Sequence, residues 1–102
     1  LDIFVVGLGE TACDTAYGLV HQLRRSGLGA AMDIEGRSLK SQMKQANKNG
    51  ADYVCIIGDD ELQKGLVVLR DMKSQEQEEL PMDTAEADFH SLTELLVNRI
   101  KQ

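Results

Sequence analysis

Residues 1–9 read LDIFVVGLG, an apolar run that ends in two spaced glycines. An unbroken apolar run of this length is typical of a strand buried on both faces, and glycine permits a sharp exit from it. From Glu10 to Ser26 apolar residues return at helical spacing, and Gly27 follows as a C-cap. The pattern predicts a strand followed by a helix, the first unit of a parallel α/β sheet.

The next segments repeat this alternation. A second strand is predicted over Ala30–Ile34, and a third, again apolar throughout, over Asp52–Gly58. Between them a helix is predicted over Leu39–Lys48, because Ser38 can cap its start and Asn49-Gly50 can end it. These segments favour parallel strands joined by helices.

The C-terminal third changes to a hairpin and a helix. Strands are predicted over Leu66–Met72 and Gln77–Met82, with residues 73–76 as the turn and Pro81 ending the pairing. Asp83 and Glu86 form a predicted capping box for a last helix. Its apolar stripe is Phe89, Leu92, Leu96 and Ile100. The predicted element order is therefore β-α-β-α-β-β-β-α.

The size and composition bound the function. A chain of 102 residues is one domain, and the first residue, Leu1, favours a piece of a longer protein. A net charge of −6 excludes a simple polycation that coats nucleic acid, although a local basic patch stays possible. Aromatic residues make up only 4%, which disfavours broad platforms for stacking bases.

The compartment is expected to be cytoplasmic. No apolar stretch approaches the roughly 20 residues of a membrane span, and no signal peptide opens the sequence. Cys13 and Cys55 make no CxxC pair, and both lie in apolar runs that are typical of reduced, buried thiols.

Gly7-x-Gly9-x-x-Ala12, followed by Asp33 about twenty residues on, has the outline of a dinucleotide-binding fingerprint. Such a site needs helix N–H groups that face a pyrophosphate, and Glu10 in the first turn would repel that anion. Glycines that simply make a tight turn are the favoured interpretation.

A basic stripe is predicted on the second helix. Arg37, Lys40, Lys44 and Lys48 are spaced 3, 4 and 4 residues apart, while Leu39, Met43 and Ala46 can face the sheet. A row of cations with no acidic residue among them is suited to binding a row of backbone phosphates. A solvated helix face explains the same spacing and is favoured on spacing alone, whereas the concentration of acidic residues elsewhere in the chain supports the phosphate interpretation.

The sequence gives little support for a catalytic site or a metal site. Asp59, Asp60 and Glu61 follow the third strand, but contiguous carboxylates do not converge on one ion without a shaped loop. They suit helix capping, or acceptance of hydrogen bonds from a base edge. His21 and His90 have no triad partners and no metal-ligand spacing. The segment by itself is not expected to be an enzyme, and no cofactor or metal is expected in it.

Two stretches resemble a known family. Residues 36–51 read GRSLKSQMKQANKNGA, and residues 53–62 read YVCIIGDDEL. They resemble the C-terminal anticodon-binding domain of bacterial histidyl-tRNA synthetases, and the similarity extends over essentially the whole chain. The first stretch is specific to that family, whereas Gly-Asp-x-Glu is shared among class IIa synthetases. Gly7 departs from the proline common in the family, a difference that touches only the turn.

The resemblance implies one domain over residues 1–102, with a three-layer α/β/α fold of a mixed five-stranded sheet and three main helices. It implies docking of the anticodon stem-loop of histidine tRNA while a separate catalytic domain of the same chain performs ATP-dependent aminoacylation. ATP and magnesium would belong to that domain, because the class II catalytic motifs are absent here. The parent protein would be a homodimeric ligase, with no DNA or membrane partner.

The resemblance also implies site residues. A glutamate of the Gly-Asp-x-Glu element and an arginine on the following strand contact anticodon bases in related domains, and these fall on Glu61 and Arg70. The basic stripe on the second helix adds Arg37, Lys40 and Lys44 as expected contacts to the phosphate backbone. Two alternatives are a synthetase-like domain with a regulatory or tRNA-sensing role, and a small nucleotide-binding domain.

Overall fold

The computed structural model describes residues 1–33, 35, 37–82 and 89–101. Its elements are β1 (Ile3–Leu8), α1 (Glu10–Arg25), β2 (Ala30–Met32), α2 (Leu39–Lys48), β3 (Tyr53–Gly58), α3 (Asp59–Lys64), β4 (Leu66–Asp71), β5 (Gln77–Pro81) and α4 (His90–Ile100). The predicted order is confirmed, with the short α3 as an addition. The second strand is shorter than predicted, since Asp33 lies outside it. The predicted capping box, Asp83 and Glu86, lies outside the described residues.

The five strands form one mixed sheet in the order β2-β1-β3-β4-β5. Strand β1 lies in the middle of the parallel part, with Val5 opposite Met32 on β2 and opposite Cys55 on β3. Strands β4 and β5 extend the sheet as an antiparallel hairpin, in which Arg70 lies between Val54 and Gln77. The parallel start and antiparallel end follow the prediction.

Helices cover both faces of this sheet. Strand β1 is buried on both sides because Ile3 and Val5 face one layer while Phe4 and Val6 face the other. The first layer is the larger and contains the buried faces of α1 and α4, including Leu19 of α1. The second layer contains α2, which packs through Ala46 and Met43. The three-layer α/β/α fold is therefore confirmed.

Close packing at the end of β1 explains one of the glycines. A β-carbon on Gly7 would lie 2.9 Å from the Cα atom of Cys13, so only glycine lets α1 approach the strand this closely. Cys13 and Cys55 are both free thiols. Cys55 is fully buried, and this burial raises the pKa of its thiol to about 12. No helix in the described ranges is long and apolar enough to cross a membrane.

Candidate nucleic-acid interface

Local interactions fix the position of α2. The Ser38 hydroxyl accepts a hydrogen bond from the Ser41 amide at 3.3 Å and so caps the helix. The Gln42 side chain is fully buried and donates from Nε2 to the carbonyls of Arg37, at 2.6 Å, and Gly7, at 3.4 Å. This amide joins the start of α2 to the end of β1. The prediction that Leu39 faces the sheet is wrong: it is 39% exposed, and Gln42 takes the inward position.

A groove of about 580 Å³ separates α2 from the turn between β4 and β5. It is lined by Leu39, Lys40, Met43, Lys44, Asn47, Arg70, Met72 and Gln75. The fold thus brings two predicted phosphate contacts, Lys40 and Lys44, next to the predicted base contact Arg70. Sequence spacing alone related only the two lysines.

The groove is electropositive although the chain is acidic. Three of its lining residues are cations, and no Asp or Glu is among the described residues that line it. Lys40 and Lys44 are exposed and form no ion pair with a carboxylate in the described ranges. Arg70 is half-buried, and its Nη1 donates to Oε1 of Gln77 at 3.0 Å. Its other N–H groups have no hydrogen-bond partner within the described ranges, so this positively charged surface contains one oriented guanidinium with donors to spare.

Glu61 lies on the same face of the sheet as Arg70 but outside the groove. A β-carbon on Gly58 would lie 3.1 Å from Glu61 Oε1, so the carboxylate rests over that glycine. Gly58 points to the α2 face because strand residues alternate and Val54 and Ile56 face α2. Arg70 pairs with Val54 and shares that face. Along β3 the strand rise separates Gly58 from Val54 by about 13 Å, so Glu61 lies toward the C-terminal end of β3 and Arg70 toward its N-terminal end on this face.

Arg37 is separated from the other predicted phosphate contacts. The helix begins at Leu39 with Ser38 as its cap, so Arg37 precedes α2 and has no place on its exposed stripe. Its guanidinium pairs with Glu35 and lies 4.0 Å from Oδ2 of Asp33. It lines a different cleft, beside Gly9 and Glu10. The predicted continuous stripe from Arg37 to Lys48 is therefore wrong at its first position.

The residues of the dinucleotide-like pattern are otherwise engaged. Gly9 caps α1 with a φ of 115°, and a β-carbon there would lie 2.5 Å from a carboxylate oxygen of Asp59. A carboxylate therefore fills the space beside the helix N-terminus, where a pyrophosphate would have to bind. Asp33 accepts a hydrogen bond from the Glu35 amide and is 7% exposed. The nucleotide-binding alternative is not favoured.

Five residues that line the groove were not among the predicted contacts: Leu39, Met43, Asn47, Met72 and Gln75. Helical spacing could have identified Asn47, since it follows Lys44 by three residues and Lys40 by seven. Met72 and Gln75 come from the hairpin, and no local pattern relates the hairpin to α2. No group of three or more His, Cys, Asp or Glu side chains is arranged to hold a metal ion within the described part of the chain.

Comparisons with known proteins agree with this geometry. The family model for the anticodon-binding domain matches residues 2–91. The chain is 46% identical over 83 residues to a histidine–tRNA ligase of Acetivibrio thermocellus, covering 81% of this chain and 20% of that protein. It is 39% identical over 102 residues to the ligase of Geobacillus thermodenitrificans, covering 100% of this chain and 22% of that one.

The fold leads to the same family. Apo S. aureus histidyl-tRNA synthetase matches with a TM-score of 0.81 at 33% identity, over 94% of this chain and 26% of that chain. The chain spans about a fifth of the length of the curated relatives that it matches, 20% and 22%. By family model, sequence identity and fold, this chain belongs to the anticodon-binding domain family, in the form found in histidyl-tRNA synthetases.

Proposed function

We propose that this domain binds the anticodon stem-loop of histidine tRNA, as one part of a histidine–tRNA ligase. The observation that carries the proposal is the groove between α2 and the β4–β5 turn, where three cations gather and none of the described lining residues is a carboxylate. An acidic chain that concentrates positive charge on one concave surface is suited to an anionic partner. The histidine–tRNA ligases among its relatives favour tRNA as that partner.

The side chains divide into two roles in this proposal. Lys40 and Lys44 contact backbone phosphates, which anchors the RNA without reading its sequence. Arg70 and Glu61 contact bases, because a guanidinium offers paired donors to acceptor edges while a carboxylate accepts from amino or imino groups. Arg37, whose charge is paired with Glu35, adds at most a weaker phosphate contact.

The remaining properties of the parent protein follow from this assignment. A catalytic domain of the same chain would perform the ATP- and magnesium-dependent aminoacylation, and the ligase would act as a homodimer in the cytoplasm. The anticodon domain itself needs no cofactor for its role. It contributes by orienting the tRNA, because docking at the anticodon fixes the position of the whole molecule relative to the catalytic centre.

Binding of altered tRNAs tests the proposal. We expect the domain to bind histidine tRNA more tightly than a transcript whose anticodon alone is exchanged. Arg70→Ala and Glu61→Ala should reduce this preference, since each removes a base contact. Loss of affinity by the same factor for both transcripts would mean that these residues do not read bases. A wild-type domain that binds both transcripts equally would contradict anticodon recognition.

A further inference from the structure

The groove has an apolar surface that phosphate binding does not explain. Met43 and Met72 are half-buried and pack against the second core layer, while Leu39 leaves 39% of its surface exposed. All three line the same groove as the cations. A row of phosphates needs only charge and hydrogen-bond donors. The apolar side chains indicate that something with an apolar face enters between them.

An unstacked base meets this requirement. Protein modules that recognise single-stranded RNA usually place aromatic rings under such bases. The chain has only 4% aromatic residues, and none of them lines the groove among the residues described. Methionine can replace them, because its flexible, polarisable thioether makes favourable contacts with aromatic rings. The volume of about 580 Å³ lies within the range typical of small-ligand pockets, about 300–1,000 Å³.

Two side-chain amides also line the groove. Asn47 is exposed on α2, and Gln75 lies on the hairpin turn at the far side of the groove. An amide offers both a donor and an acceptor, the pattern that distinguishes one base edge from another. Gln75 has a φ of 62°, a strained conformation for this residue type, and such strain is concentrated at functional sites.

We propose that the groove receives one unstacked base of the RNA loop, with its face on Leu39, Met43 and Met72 and its edge on Asn47. Asn47 is then a specificity-determining residue, and Lys40 and Lys44 hold the phosphates on either side of the base. The inference rests on the proposed RNA-binding function and deepens it. RNA is the occupant that fits, because a groove lined by three cations, with no carboxylate in the described part of its lining, complements a polyanion.

The test uses anticodon stem-loops of histidine tRNA with single abasic nucleotides, one for each loop position, together with the intact loop. Asn47→Ala and Leu39→Ala are suitable variants because both positions are exposed on α2 and alanine favours helices. Each should bind the intact loop about tenfold more weakly than the wild type. Lys48→Ala is the control. Lys48 lies on the same helix but outside the groove, so this variant should lose as much affinity as the wild type does when a base is removed from the loop.

The abasic series identifies the base. For one loop position, removal of the base should weaken binding to the wild type and cause little additional loss in Asn47→Ala. If Asn47→Ala and Leu39→Ala bind the intact loop as tightly as the wild type does, this inference is overturned while the proposed function stands. The inference is also overturned if the affinity of each variant falls by the same factor for every abasic loop. If the wild-type domain does not bind the intact loop, the proposed function fails too, so the two failures are distinguishable.

Discussion

The net charge of −6 does not show which cations can bind RNA. That depends on whether each cation is paired with a neighbouring carboxylate. Arg37 and Lys44 are both exposed cations, but Arg37 is paired with Glu35, whereas Lys44 forms no ion pair within the described ranges. An unpaired cation can replace the counterions of a phosphate when RNA binds. The two side chains are therefore expected to contribute unequally.

Lys44→Ala should weaken binding to all tRNAs by a similar factor, because the lysine contacts phosphate and not base. The slope of log K against log salt concentration should become less negative by about 0.7–0.9. Titrations at several salt concentrations measure this slope. Lys101→Ala is the control, since that lysine lies near Ser26 and not in the groove, and its slope should equal that of the wild type. An unchanged slope in Lys44→Ala would exclude a phosphate contact.

Cys55 makes the stability of the fold depend on pH. The folded state holds the pKa of this thiol at about 12, while the ordinary value is 9.0. The unfolded chain therefore loses the proton first, and the stabilisation, complete below pH 9, is lost as the pH rises from about 9 to about 12. Between pH 8 and pH 10 this loss amounts to about 1.4 kcal/mol.

Urea unfolding of the wild type and of Cys55→Ala at these two pH values measures the effect. Replacing Cys55 by alanine also lowers the free energy of unfolding because packing is lost, but by the same amount at both pH values. Only the change with pH in the difference between the two proteins therefore reports on the thiol. The stability gap between the two proteins should shrink by about 1.4 kcal/mol at pH 10. A gap that is the same at both pH values would show that the thiol titrates alike in both states.

Helix α2 is the element that turns a charge pattern into a surface. Ser38 fixes where the helix starts, and this start decides that Lys40 and Lys44 lie on the groove side while Arg37 precedes the helix. Ser38→Ala should lower the free energy of unfolding by about 1 kcal/mol, the usual effect of removing a side-chain cap. Chemical denaturation measures it. Ser26→Ala is the matched control, because Ser26 caps α1 through its backbone alone, and it should be nearly neutral.

The hairpin turn supplies the other side of the groove. Oδ1 of Asp71 accepts from the Lys73 amide at 2.8 Å and from the Ser74 amide at 3.3 Å, which shapes the turn before Gln75. The positive φ of Gln75 costs about 1–2 kcal/mol, which glycine would avoid at an entropic cost of about 0.5–1 kcal/mol.

Gln75→Gly should therefore leave the free energy of unfolding unchanged or raise it by up to about 1.5 kcal/mol. Lys73→Gly, at a position without positive φ, should lower it by about 0.4–1 kcal/mol. Thermal and urea unfolding compare the two variants. If Gln75→Gly were destabilised as much as Lys73→Gly, the left-handed conformation at Gln75 would be contradicted.

Most elements could be predicted from local patterns. The apolar run at residues 1–9 and the helical spacing after it predicted β1 and α1, and Ser38 predicted the first residue of α2 correctly. Helix α3 was not predicted because six residues, of which the first three are acidic, give no apolar period. For Leu39, the pattern could not show that a buried amide, Gln42, would take the inward position.

Across the whole molecule, the strand order creates the site. Because β4 lies beside β3 and not beside β1, the hairpin turn reaches α2, and residues up to 36 positions apart, Leu39 and Gln75, line one groove. No local pattern predicts that contact. The family resemblance predicted that Glu61 and Arg70 both contact bases, but it did not predict that Arg70 and Lys44 line the same groove. On the opposite face of the sheet, Asp71, Glu76 and Glu78 surround a cleft that also contains Arg99. The basic groove and this acidic cleft therefore lie on different faces of the sheet.

The location of the bound RNA tests the account most directly. The measurement is a titration of the nitrogen-15-labelled domain with the anticodon stem-loop of histidine tRNA, followed by the amide signals of each residue. We expect the largest shifts in residues 39–47 and 70–75, which surround the groove, and little change at Tyr17 or Arg99 on the other face. Shifts concentrated on α1 and α4, with the groove unaffected, would contradict the proposed interface.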